Sequence, residues 1–180
     1  MTVRPIVISG EPVLHEPAAP VTKFDDELRI LVQDMFDTMD EAPGVGLAAP
    51  QVGVGLQVFV YDYPEDDGTP RRGVAINPTL LISPLEIRDT TDADDEGCLS
   101  FPGERFPLVR AEKALLRAVD LEGKPFEIEC DGWFARIFLY VLAPITRVLN
   151  IVNTKKCAQA NVIRVKLQLP PPRLYSQRAL

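Results

Sequence analysis

From Phe24 to Asp40 the apolar residues Leu28, Leu31, Val32, Met35 and Met39 recur at three- and four-residue steps, which places them on one face of a helix. The spacing predicts an amphipathic helix here, capped by Thr22 or Asp25 and carrying acidic residues in its first turn, with its Met and Phe positions in a core. Before it, prolines at 5, 12, 17 and 20 rule out a helix and suit an extended strap over a surface. After it, the pattern switches. Leu56–Asp62, Gly73–Asn77, Leu85–Thr91, Ala111–Asp120 and Phe126–Cys130 are β-branched or alternating runs and predict strands, with a hairpin turn at Glu122-Gly123-Lys124.

A second helix is expected from about Asp131, using Trp133, Phe134, Ile137, Phe138 and Tyr140 or Val141, and Pro144 should end or kink it. Strands that follow one another in sequence and outnumber helices favour an α+β class over a βαβ repeat. Further on, Asn161–Leu169 alternates like a strand until the prolines at 170 to 172 stop it.

Composition changes this picture at one place. The 180 residues are 46% hydrophobic and 25% charged, ordinary for one soluble domain, with a net charge of −7 that gives no overall attraction to nucleic acid or an anionic membrane. From Leu139 onward, however, there are Lys and Arg but no Asp, Glu or Gly. The chain therefore divides into residues 1–138 and a divergent basic tail, 139–180. The tail's charges are scattered among apolar residues, so nucleic-acid binding is not expected of it. No apolar run is long enough to cross a bilayer, and the proline-broken start does not build a signal peptide. Three widely spaced cysteines, Cys98, Cys130 and Cys157, indicate neither a disulfide framework nor a zinc knuckle. A cytoplasmic monomer is the expectation.

Two segments could carry chemistry. In Gly44-Val45-Gly46-Leu47-Ala48-Ala49-Pro50-Gln51 the glycines let backbone approach a ligand and Gln51 offers an amide; the same pattern also reads as a tight helix-to-strand loop. Glu96-Gly97-Cys98-Leu99-Ser100 follows Asp92, Asp94 and Asp95, a setting that does not by itself activate a thiol; Cys98 also reads as a small buried apolar residue.

The two segments resemble, in order, the first two signature motifs of the peptide deformylases, G-x-G-L-A-A-x-Q and E-G-C-L-S, and the likeness runs from about Ile6 to Phe138. The resemblance implies an α+β fold of antiparallel or mixed strands around a central helix, and a parent reaction: metal-dependent hydrolysis of the formyl group from the N-terminal methionine of nascent polypeptides. By the same resemblance Cys98 is a ligand of Fe2+ or Zn2+. Gln51 and the backbone N–H of Leu99 are oxyanion-stabilising catalytic groups, and Val45, Gly46, Glu96 and Gly97 belong to the substrate pocket and its support. The family's third motif, Q-H-E-x-x-H, should begin at position 139 and supply two helical histidines and a general base.

This chain has Leu139-Tyr140-Val141-Leu142-Ala143-Pro144 there, and its one histidine is His15. The metal is therefore not expected to be retained, and the chain is expected to be inactive; a non-catalytic module for polypeptide N-termini is the alternative. The C-terminal part is atypical. A shifted reading frame, an internal deletion and a spliced-in segment each account for so abrupt a change, and a deletion that brings a later strand forward as Leu139-Tyr140-Val141 is one form of it.

Overall fold

The computed structural model describes residues 2–42, 44–64, 68–85 and 88–146. The N-terminal segment is an extended strap with a single 3-10 turn at Pro12–Leu14. It is tied to the body by backbone hydrogen bonds, Val7 N–H to the Gln51 carbonyl and Ser9 N–H to the Ser100 carbonyl, both 2.9 Å. Helix α1 (Asp26–Glu41) follows the predicted periodicity, and of the two candidate caps it is Asp25 whose carboxylate accepts from Leu28 N–H. Its buried stripe includes Met35 and Met39, both fully inaccessible, whereas the Phe positions depart from the expectation: Phe24, ahead of the helix, is exposed and Phe36 is only partly buried.

Among the described residues, five strands form one antiparallel sheet in the order β1 (Gly46–Ala48), β2 (Val58–Asp62), β3 (Arg72–Ile82), β6 (Lys113–Val119), β7 (Pro125–Asp131). The period-two alternation of β2 sorts its residues between two cores: Val58 and Val60 face α1, whereas Phe59 and Tyr61 face helix α2 (Gly132–Thr146). Both faces of the sheet's centre are covered, and an α+β layering results. Phe59, Tyr61, Phe134 and Phe138 pack edge-on or tilted, with centroids 4.5 to 6.1 Å apart, where α2 crosses β2. Asn77 adopts φ 51°, and its side-chain amide pairs with both backbone groups of Val21, which locks the strap to a bulge in β3.

Three further expectations need correction, and one segment gains an element the sequence did not predict. Leu85 and Arg88–Thr91 are not strand: Arg88 is drawn to Asp94, and Thr91 N–H and Oγ1 both bond the Asp94 carboxylate, which opens a 3-10 turn at Asp92–Asp94 instead. The segment Glu96–Ser100, read only as a motif, lies in and after strand β4 (Asp95–Cys98), which pairs with β5 (Phe101–Pro107) in a separate two-stranded sheet.

Pro144 does not end α2, which continues to Thr146. Lacking an N–H, the proline forfeits one backbone bond, to the carbonyl of Tyr140. Finally, Leu139, Tyr140 and Val141 are helix, not a displaced strand. Helix α2 thus runs past position 138, and Val141, Leu142, Pro144 and Ile145 are buried. The rest of the basic tail from residue 147, with the expected strand Asn161–Leu169 and Cys157, lies outside the described residues.

Candidate active site

Edge strand β1, the β4–β5 sheet and helix α2 enclose a groove of about 770 Å³, to which Val45, Gly46, Gly97, Cys98, Leu99 and Tyr140 contribute. The fold therefore brings the two motif segments and the start of the deviant segment together. Val45 is exposed at the rim, Gly46 is buried on β1, and Cys98 is half-buried at the end of β4.

Gln51 is fully buried in the 3-10 turn after β1 (Ala49–Val52); its Oε1 accepts from Ala48 N–H at 2.9 Å, while its Nε2 has no hydrogen-bond partner. The Ser100 hydroxyl, two residues beyond Cys98, is also buried without one. The strap joins these places, since Val7 and Ser9 bond the Gln51 and Ser100 carbonyls. Neither Gln51 nor Ser100 lines the groove, so of the candidate residues Gln51 stands behind its wall.

Glu96 is not a free carboxylate. Arg110 grips it through Nε and Nη2, and Arg136 of α2 donates to its Oε1 from Nε at 3.0 Å. Arg136 also reaches Asp94 Oδ1 at 3.1 Å and the backbone carbonyl of Asp94 at 3.0 Å. Glu96, Asp94, Arg110 and Arg136 are all nearly excluded from solvent. The Arg88 guanidinium above all, then the Thr91 N–H, holds the Asp94 carboxyl far below the usual carboxylate range. Glu96 lines the groove, yet with its carboxylate engaged by two arginines it fixes β4 to α2 and orients the strand that carries Cys98, rather than standing free as a base.

The deviant segment completes the site. The Tyr140 phenol lies against Cys98; burial chiefly, and then the charge of a Cys98 thiolate and of Glu96, raise its pKa above the ordinary phenol range, so it stays neutral. Its hydroxyl is buried without a well-formed hydrogen bond. Val141, one residue on, closes against β1: a Cβ built on Gly46 would stand 2.6 Å from Val141 Cγ1 and 3.1 Å from Ile137 Cγ2. Pro144 carries no donor atom. Among the described residues no group of three His, Cys, Asp or Glu is placed to hold a metal ion. A thiol, a neutral phenol, a valine and a proline do not fit a divalent cation, which wants imidazole, thiolate or carboxylate in a near-tetrahedral set.

His15 caps the strap's 3-10 turn through its backbone and is exposed, and Cys130 is buried in β7, donating to the Ala114 carbonyl at 3.2 Å. Burial pushes the Cys130 thiol up to about 11, which makes it inert at neutral pH. Sequence reasoning did not single out Arg110, Arg136 or Tyr140 as site residues. Their signal was positional only: Tyr140 falls in the register of the missing motif, and the two arginines pair across 14 and 40 residues.

A polypeptide deformylase family model matches residues 3–141. The chain is 50% identical over 148 residues to a peptide deformylase of Tropheryma whipplei, covering 76% of this chain and 73% of that one. It is 52% identical over 145 residues to one of Mycolicibacterium paratuberculosis, covering 76% and 74%. Among solved structures, the peptide deformylase of Thermotoga maritima superposes with a TM-score of 0.71 at 34% identity, over 84% of this chain and 97% of that one. That of Legionella pneumophila gives 0.70 at 37% identity over 81% and 82%. With its motif segments meeting at one groove and its fold shared with these enzymes, the chain belongs to the peptide deformylase family.

Proposed function

We propose that this chain is a deformylase-family protein that has lost the family's metal-dependent hydrolysis of N-formyl groups from the N-terminal methionine of nascent polypeptides. The observation that carries this reading is the filling of the place beside Cys98: the Tyr140 phenol stands against the thiol and Val141 closes on Gly46. Cys98 alone would then hold neither Fe2+ nor Zn2+ firmly, and no residue on α2 takes a proton from water. In this reading the Leu99 N–H keeps the position of an oxyanion donor, Gln51 stands behind the groove wall as support, and Val45, Gly46, Glu96 and Gly97 keep the positions of the pocket and its support.

The family's third motif is missing from Leu139 on, close to the end of the matched residues 3–141. A cytoplasmic monomer fits the family's role; no helix among the described residues is long and apolar enough to cross a membrane. The test is formate release from a formyl-methionyl peptide after supplying ferrous, nickel or zinc ions. No turnover above the blank is expected, and turnover comparable to an intact relative would refute the reading.

A second function is favoured by the groove itself, which Gly97, Cys98, Leu99 and Tyr140 line together and at whose rim Val45 is exposed. In this reading the chain binds polypeptide N-termini without processing them. Calorimetric titration with a formyl-methionyl peptide should then show saturable binding without formate release.

A further inference from the structure

A second concavity, of about 940 Å³, lies between the ends of β3, β6 and β7 and the start of α2, with Tyr63, Arg71, Ile82, Lys113 and Phe134 among its lining. It contains none of the motif residues. One side chain lines both this concavity and the Cys98 groove: Trp133, in the first turn of α2. The indole is 49% exposed, although one of the largest apolar groups in the chain, and Arg136 packs its guanidinium over the ring at 5.0 Å. Ile82, on the far side, is 42% exposed. An exposed tryptophan shared by two open grooves, with an exposed isoleucine beyond it, is the profile of a contact surface rather than of a core margin.

We propose that the two concavities are one binding track for an extended polypeptide, whose N-terminus enters beside Cys98 and whose following residues cross Trp133 into the second groove. The proposal rests on the reading of the first groove as a site for polypeptide N-termini and adds the length and path of the ligand. The helix supplies the scale. Tyr140 and Trp133 are seven positions apart on α2, about 10 Å at a rise of about 1.5 Å per residue. An extended chain advances about 3.3 Å per residue, so its first three residues span the Cys98 groove and the fourth and later ones pass the indole. There they meet Ile82 and the cationic stems of Arg71 and Lys113, while Glu129 and Asp131 on β7 supply the opposite charge. The mixed lining suits a polypeptide of varied sequence rather than a uniformly charged polymer.

The test compares a formyl-methionyl tripeptide with an octapeptide that extends it, by calorimetry on the full chain and on Ile82→Glu, an exposed position that lines the second groove only. The octapeptide should bind about ten-fold tighter or better. Ile82→Glu should bring it down to the tripeptide's affinity, leaving the tripeptide unchanged. Trp133 is the only tryptophan in the chain, so its emission should move to shorter wavelength with the octapeptide and far less with the tripeptide. Equal affinities for the two peptides, or a length gain that survives Ile82→Glu, would overturn the proposal while leaving the first groove's reading intact. Absence of binding by either peptide would instead overturn both.

Discussion

Arg136 on α2 and Glu96 on β4 form an ion pair, Nε to Oε1 at 3.0 Å, with side chains only 12% and 5% exposed. Because Arg110 holds the other side of the same carboxylate and Arg136 also reaches Asp94, this is a hydrogen-bonded network rather than an isolated pair. Such networks are costly to break, since the partner left behind is a desolvated charge. Arg136→Met should therefore lower unfolding free energy in urea by about 3 kcal/mol, toward the low end for a broken buried pair because Arg110 remains. A loss below about 1 kcal/mol would mean that solvent screens the pair as it does a surface one.

Acid should act through Asp94. Its carboxyl is held far below its ordinary value in the folded state, so it contributes stability that is complete above the unfolded value of about 4 and is lost as pH falls toward the folded one. Thermal melts between about pH 2 and 7 should show a steep loss of Tm below about pH 4. Asp94→Asn should be less stable at neutral pH and lose less on acidification. Parallel pH profiles for the two proteins would contradict this.

At Gly46, α2 packs closely on the sheet's edge strand. Gly46→Ala adds a methyl 2.6 Å from Val141 Cγ1, and valine on a helix has little rotamer freedom with which to retreat. Destabilisation of about 1–3 kcal/mol is expected. If contact with Val141 is the cause, adding Val141→Ala should recover part of it, and a double-mutant cycle should give a favourable coupling above about 0.5 kcal/mol. Strict additivity would place the strain elsewhere.

The proposed loss of the metal centre predicts a gain as well. Positions 140 and 144 are one helical turn apart on α2, and Tyr140 already lies against Cys98. A combined Tyr140→His, Val141→Glu, Pro144→His variant should take up one equivalent of cobalt(II) with a sulfur-to-metal charge-transfer band, where the parent chain takes up none. Removing Pro144 also restores a backbone donor to the helix. Equal cobalt uptake by both proteins would show that other donors serve the parent; uptake by neither would show that α2 no longer presents those positions to Cys98.

Much of this architecture was legible because local pattern and tertiary environment agree. Helix α1 shows one apolar stripe and one Asp cap, and β2 alternates between two cores. The β4–β5 sheet was not legible: Asp95, Glu96 and Gly97 have poor strand propensity, and what makes them a strand is a partner that folds back at once and arginines that arrive from elsewhere. The same holds for Pro144, whose propensity argues for a stop while burial of Val141, Leu142 and Ile145 against the sheet favours another turn. At the site, the motifs located Gln51 and Cys98, but only three dimensions reveal that Tyr140 and Val141 fill the space between α2 and the motif strands.

The strap's two backbone bonds, from Val7 to Gln51 and from Ser9 to Ser100, stitch the halves of the groove to each other before any side chain is considered. Proteolytic clipping ahead of Gly10 would cut that seam, so the two walls would breathe independently and amide exchange at both should quicken together. An affinity handle for purification is accordingly a perturbation when fused at this end of the polypeptide, however far it lies from Cys98 along the chain.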